Sequence, residues 1–287
     1  MRKLLIACVI AVIVVPLAGA WIAGGQLTAP AAATIGNPPP DLNAQPVKFA
    51  STSGSTIHGW FIPGQKNAGA IVLMHGVRAN RLSMVDRARF LSHAGYSVLL
   101  FDFQAHGESE GQQITMGYLE SRDAQAAVEF LKTNAPQENI GVIGVSMGGA
   151  ATLLASPPLP VKAMVLESVY PTIEEAIGDR LALRLGGWAS HLTPALSLQL
   201  KPRLGISAAA LRPIDHVNSI EAAKLFIAGA ADKHTTEAES QRMFAAASGP
   251  KEFWLVNGAG HVDVHRLARE EYEQRVLTFF ARYLRQQ

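Results

Sequence analysis

Ser146 stands in the run Gly144-Val145-Ser146-Met147-Gly148-Gly149. The apolar stretch before it, Ile140-Gly141-Val142-Ile143, reads as a buried strand. The stretch after it, Ala150-Ala151-Thr152-Leu153-Leu154, reads as the start of a helix. Strand, Gly-x-Ser-x-Gly, helix is the pattern of a nucleophile elbow, a tight turn that holds a serine hydroxyl clear of a sheet edge. Gly144 and Gly148 fall where the chain folds back on itself and a Cβ would crowd the turn. Amides opening the helix favour negative charge beside the hydroxyl. The plainer role for Ser146 is a helix N-cap.

A serine hydroxyl is a poor nucleophile at neutral pH and needs a base within hydrogen-bond reach. An imidazole can take the proton and then hand it to a leaving group. A carboxylate on the other ring nitrogen fixes the tautomer and stabilises the imidazolium. Two loops downstream supply such groups, each after an apolar run: Gly229-Ala230-Ala231-Asp232 and Gly258-Ala259-Gly260-His261. His261 stands out from His75, His234 and His265 because it lies on a Gly-Ala-Gly loop after the last strand. Asp232 competes with Asp215, which precedes a strand instead of following one. It also competes with Asp263, too close to His261 in sequence to face the opposite ring nitrogen. Asp232 could alternatively cap the helix that follows it.

These groups need a frame. The strand-like runs are Val47–Ala50, Ile57–Ile62, Gly69–Met74, Tyr96–Phe101, Ile140–Val145, Lys162–Glu167, Lys224–Ile227 and Lys251–Val256. The first two flank Ser53-Gly54-Ser55 and read as a hairpin. The later ones alternate with helical spacing at Ser83–Ala94, Tyr118–Leu131, Thr236–Ala247 and Leu267–Leu284. That alternation implies an α/β fold with a mostly parallel eight-stranded sheet flanked by helices. In such sheets ligands bind at the carboxyl ends of the strands, where His75, Asp102, Ser146 and Glu167 all fall. Between Ser168 and Val217 the alternation breaks. This stretch reads as a small helical cap over the site. Its apolar residues, Leu181, Leu183, Leu185, Trp188, Leu192, Leu196 and Leu198, are too many for one buried face. Either they pack on each other and on the sheet edge, or some line an apolar pocket.

The chain has 287 residues, 48% of them apolar and 17% charged, with a net charge of +2. No basic patch argues for nucleic acid. Cys8 is the only cysteine, so neither an internal disulfide nor a thiolate metal site is available. No zinc pattern, phosphate loop or dinucleotide fingerprint is present, and neither metal nor cofactor is expected. Leu4 to Gly25 is uncharged and long enough to span a bilayer, at roughly 20 residues. Arg2 and Lys3 before it orient the N-terminus to the cytoplasm. Residues 1–25 read as a single-pass anchor with the domain on the extracytoplasmic side, or as a signal peptide cut near Ala18-Gly19-Ala20 to release the protein. Residues 26–46, rich in Ala and Pro, read as an extended linker, leaving 47–287 as the folded domain with its cap at about 168–217.

In order and spacing these motifs resemble the α/β-hydrolase superfamily, from Val47 to the C-terminus. His75-Gly76 resembles its oxyanion-loop motif. Asp102-Phe103-Gln104-Ala105-His106-Gly107-Glu108-Ser109 resembles its Asp-x-x-Gly-x-Gly-x-Ser loop, with His106 near a place often held by glycine. The order Ser146, Asp232, His261 is the one this fold uses. The resemblance implies Ser146 as nucleophile, His261 as base and Asp232 as orienting acid. It also implies an oxyanion hole made by the backbone amides of Val77 and Met147, with Arg78 one residue off and His75 bracing the loop. Arg78 and Arg81 would then either favour an acidic substrate or lie solvated on the surface.

The expected function is a serine hydrolase that cleaves a carboxylic ester of a small, apolar acyl substrate through an acyl-enzyme. The same triad serves peptidases and thioesterases, and a non-catalytic ligand-binding member of the fold is the alternative of another class.

Overall fold

The computed structural model describes Val15, residues 17–261 and residues 264–286. Eight strands form the main sheet: β1 (Gln45–Ala50), β2 (Thr56–Ile62), β3 (Ala70–Met74), β4 (Ser97–Phe101), β5 (Ile140–Val145), β6 (Ala163–Glu167), β7 (Ala223–Gly229) and β8 (Lys251–Val256). Their spatial order is β8-β7-β6-β5-β3-β4-β2-β1. β1–β2 and β2–β4 are antiparallel, and every other pair is parallel. The central strands β3 to β6 are buried along their whole length. Their unbroken Val, Ile, Leu and Met runs are what a sheet covered on both faces requires.

Alternate side chains feed two cores. Val72 and Met74 point to the layer that contains α2 (Glu120–Asn134), α3 (Met147–Leu154) and α7 (Glu237–Ala246). Ile71 and Leu73 point to the layer of α1 (Val85–His93) and α8 (Arg269–Leu284). Thr236, not Asp232, is the N-cap of α7. Its hydroxyl accepts from the Glu239 amide, and Glu239 reaches back to close a capping box.

Between β6 and β7 the described residues hold no strand. Helix α4 (Ile173–Leu185), a 3-10 turn (Gly187–Leu192), α5 (Thr193–Ser197) and α6 (Leu200–Leu204) form the cap. Of the seven residues of its apolar surplus, Leu181 and Leu196 are partly buried, and none lines the cavity beside Ser146. Leu183, Leu185, Trp188, Leu192 and Leu198 are exposed, with Trp188 at 64% and Leu198 at 77%. The cap elements pack on one another, α4 against the turn and α5, and leave these side chains on their outer face.

The 26–46 segment is docked rather than free. Ala31–Ala32 pairs in parallel with His106–Gly107, the Ile35 and Gly36 amides donate to Glu108 Oε1, and Leu42 is buried. A proline-rich composition does not show this, because the docking uses backbone groups. Of the expected N-terminal span, residues 4–14 and 16 lie outside the described residues. Residues 17–28 are helical, and no described helix is long and apolar enough to cross a membrane.

Candidate active site

Strand β5 delivers Ser146 into a sharp turn with φ 51° and ψ −113°. Such a conformation costs a non-glycine residue on the order of 1–3 kcal/mol and persists only where its surroundings impose it. Here the Ser146 amide donates to the Glu167 carbonyl at 2.8 Å, and its carbonyl accepts from Ala150 at 3.0 Å. The two flanking glycines are sterically required. A Cβ on Gly144 would lie 2.6 Å from the Gly149 backbone, and one on Gly148 would lie 2.4 Å from the Met74 carbonyl oxygen.

Three side chains from separate loops meet at this turn. Ser146 Oγ is 3.1 Å from His261 Nε2. His261 Nδ1 is 2.8 Å from Asp232 Oδ2. The other carboxylate oxygen of Asp232 accepts from the His234 and Thr235 amides at 2.8 and 3.0 Å. Burial pushes the Asp232 carboxyl up, but the His261 ring and these two amides outweigh it and hold the group below its ordinary range. Asp232 is therefore a buried, orienting carboxylate, with His261 Nδ1–H donating to it.

Two of the rival residues are occupied elsewhere. Asp215 is exposed and paired with Arg212 at 2.6 Å. His265 is buried against Glu273 at 3.2 Å. Asp263 lies outside the described residues. His234 lies beside the site, its ring centroid 5.1 Å from that of His261.

His75 is fully buried. Its Nδ1 donates to the Gly76 carbonyl at 2.8 Å, and its Nε2 accepts from the Phe103 amide at 3.1 Å. Both nitrogens are used, and burial together with the neighbouring His106 pulls its pKa down to about 3. His75 is a neutral brace between the two loops. His106 does similar work. Its Nδ1 meets the Gln104 carbonyl at 2.8 Å, and its Nε2 accepts the Arg78 amide at 3.0 Å. The Arg78 amide is thereby spent, whereas the Val77 amide has no acceptor among the described residues. Met147, the first residue of α3, has an amide with no intrahelical partner. These are the two expected oxyanion donors, and an ideal Cβ on the neighbouring Gly76 would lie 3.7 Å from Ser146 Cβ.

Neither expectation for the pair of nearby arginines holds for Arg81. It is 2% exposed. It donates from its backbone amide and Nη1 to Asp102, at 2.7 and 2.5 Å, and from Nη2 to Glu108. It neither faces a substrate nor lies solvated. It ties the Asp102 loop to the oxyanion loop. Arg78 is exposed, and its guanidinium donates to the Gln26 and Ala29 carbonyls.

A cavity of about 290 Å³ opens on Ser146 and His261. Val77, Ala79, Met84, Arg87, Arg180 and His234 are among the residues that line it. None of the cap leucines or Trp188 does. Arg87 was overlooked in the sequence, although it falls three residues from Met84 and four from Leu91, on the apolar face of α1. Its charge is taken by Glu167, to which it donates at 3.1 and 2.6 Å. Tyr272 also donates to Glu167. Arg180 comes from the cap helix α4 and carried no signal of its own. Among the described residues no group of three or more His, Cys, Asp or Glu could hold a metal ion.

The comparisons with known proteins agree with this architecture. The family described as serine aminopeptidase, S33, matches residues 65–210. The chain is 26% identical over 235 residues to the uncharacterized protein YqkD of Bacillus subtilis, covering 80% of this chain and 76% of that one. Among solved structures it is similar to the Pyrococcus furiosus esterase Pf2001, with a TM-score of 0.71 and 26% identity over 88% of this chain and 97% of that one. A shorter match joins it to the thiohydrolase aneE of Aspergillus aculeatus, 31% identical over 140 residues, 47% of this chain and 44% of that one. The chain is a hydrolase that belongs to the serine aminopeptidase S33 family of the α/β-hydrolase superfamily.

Proposed function

We propose that this protein is a serine hydrolase that cleaves small carboxylic esters through an acyl-enzyme on Ser146. The observation that carries this reading is the continuous hydrogen-bonded line Ser146 Oγ, His261 Nε2, His261 Nδ1, Asp232 Oδ2. In this reading Ser146 Oγ attacks the substrate carbonyl as His261 Nε2 takes its proton. The carbonyl oxygen becomes an anion held by the Val77 and Met147 amides. His261 then returns the proton to the leaving alcohol, the acyl group remains on Ser146, and water repeats the sequence to release the acid. Asp232 holds the imidazole in the required tautomer throughout.

An ester is favoured over the amide of a free peptide N-terminus on electrostatic grounds. Recognition of an α-ammonium group calls for a carboxylate, and among the described residues no Asp or Glu lines the cavity. Glu167 and Asp232, which touch the lining residues Arg87 and His261, are both engaged by them. A thioester differs from an ester only in its leaving atom, and the likeness to a thiohydrolase supports it as the second reading.

The test is covalent labelling by a fluorophosphonate probe. We expect labelling of the protein and its loss in Ser146→Ala. Folded protein that takes no label would overturn the reading. Rates on 4-nitrophenyl esters, acyl thioesters and aminoacyl 4-nitroanilides then rank the three bonds, with esters expected first.

The domain is further proposed to work outside the cytoplasmic membrane, tethered by its N-terminal segment. Supporting this are the uncharged run 4–25, the exposed Leu17, Trp21 and Ile22 on helix 17–28, and the exposed Trp188 and Leu198 of the cap. Arg203 of the cap lies over the Trp21 ring at 4.0 Å, so helix and cap share one side of the molecule. Basic residues among exposed apolar ones suit an anionic bilayer. The full chain should float with anionic vesicles; full recovery in the unbound fraction would exclude the tether.

A further inference from the structure

The cavity beside Ser146 holds one cation, Arg180, that no described residue pairs. Arg180 projects from cap helix α4 into its lining. Its guanidinium is partly buried, and its hydrogen bond within the protein runs from Nη1 to the Ala176 carbonyl at 2.8 Å, one turn back along the same helix. It has no ion pair with a described residue.

The described carboxylates near it are engaged elsewhere or weakened. Asp232 is held by His261 and two amides. Glu239 closes the capping box at Thr236. Asp179, next in sequence, is pushed up to about 7 by burial and by Glu239, so it is a weak counter-ion at neutral pH. The other arginine of the cavity, Arg87, is bound to Glu167 on two nitrogens. A half-buried guanidinium without a counter-ion is costly, and burial pulls its pKa down accordingly. An anionic group entering the cavity would remove that cost.

Arg180 also has a defined side. It shares the cavity lining with His234 and His261. His261 delivers its proton to the leaving group on that side. The apolar lining residues Val77, Ala79 and Met84 suit a short acyl chain. A single guanidinium fork matches a planar carboxylate through two parallel hydrogen bonds, whereas a phosphate dianion would call for further unpaired cations that the cavity lacks.

We propose that Arg180 is a specificity residue that holds a carboxylate on the leaving-group side of the substrate, so that preferred substrates are short-chain esters of carboxylate-bearing alcohols or phenols. This rests on the serine-hydrolase reading above and names its substrate class.

The experiment uses the full chain and compares 4-carboxyphenyl butyrate with its neutral methyl ester, with mono-4-nitrophenyl succinate as the acyl-side control. The kcat/KM ratio of the first two, corrected for their rates of alkaline hydrolysis, is the readout. A charge-assisted pair of hydrogen bonds gives an expected preference of about tenfold or more for the anion. Arg180→Gln should bring the ratio close to one, and Arg180→Lys should keep part of it. In the wild type the ratio should fall as sodium chloride is raised from about 0.05 to 0.5 M, a readout that needs no variant to fold. An anion preference that survives Arg180→Gln overturns the assignment, as does a wild-type ratio near one. An Arg180-dependent preference confined to mono-4-nitrophenyl succinate, whose charge is on the acyl side, overturns it too. Turnover with an Arg180-independent ratio removes this inference alone. No turnover and no labelling of Ser146 would remove the hydrolase reading with it.

Discussion

The Arg78 amide donates to His106 Nε2 at 3.0 Å, and this contact decides which amide of the oxyanion loop is left for a substrate. Arg78 has φ 59°, a left-handed turn that a non-glycine residue adopts only when held there. His106 holds it from a loop 28 residues away and is itself fixed by the Gln104 carbonyl. Burial lowers the pKa of this imidazole, so Nε2 stays unprotonated and able to accept at neutral pH.

Replacing His106 should therefore loosen the Val77 amide without touching the nucleophile. Complete loss of one oxyanion donor costs about 10²–10³ in kcat. His106→Ala leaves the donor present but mobile, and we expect a fall of about 10–100-fold in kcat with KM nearly unchanged. Steady-state kinetics on 4-nitrophenyl butyrate checks this. A variant with wild-type kcat would show that the Val77 amide needs no such support.

Asp232→Asn should leave the fold intact and reduce kcat by about 10⁴-fold, because an amide facing His261 Nδ1 permits the wrong tautomer. Asp215→Asn should change kcat less than about twofold, its carboxylate being exposed and engaged only with Arg212. Circular dichroism and turnover of both variants give the comparison. The reverse pattern would assign the acid to Asp215.

Much of the site was legible because it depends on local rules. The elbow announces itself through two glycines on either side of a serine. Asp232 and His261 follow strands whose apolar runs are easily read, so the topology brings them to one sheet edge. Arg81 was not legible. Its burial is settled by Asp102 and Glu108, 21 and 27 residues away, and no local pattern distinguishes it from a solvated arginine. The same holds for Arg180, whose meaning comes from the carboxylates that fail to reach it. The cap misled for another reason. Leucines in sequence state a wish for apolar surroundings but not where these are found, and here they are not in the cavity.

The cap should also report pH. Asp179 on α4 faces Glu239 on α7, with Glu175 and Arg180 nearby. Burial and the Glu239 carboxylate push Asp179 up to about 7. A folded pKa above the unfolded value means that the protonated group stabilises. That contribution is complete below about pH 4 and is lost as pH rises through about 7. Melting temperature should thus fall by a few degrees between about pH 6 and 8, at about 2–4 °C per kcal/mol for a chain of this size. Asp179→Asn should flatten that slope. A slope unaltered by the substitution would place the titrating group elsewhere.

The largest single effect on stability is expected at the pair behind the nucleophile. Arg87 and Glu167 are both buried and joined at 2.6 Å, with Tyr272 completing the cluster. The Glu167 backbone carbonyl also accepts the Ser146 amide, so the cluster and the elbow share a residue. Removing one partner leaves a buried charge without compensation. Glu167→Gln should cost about 3–5 kcal/mol by chemical denaturation. Exchanging the whole cluster for apolar groups of similar volume is a different case, because desolvation of both ions is then avoided. The triple variant Arg87→Met, Glu167→Met, Tyr272→Phe should recover most of the loss, within about 1–2 kcal/mol of wild type. If Glu167→Gln costs less than about 1 kcal/mol, water or the neighbouring loops already compensate the Arg87 charge without Glu167, and the cluster is not the dominant electrostatic support of the elbow.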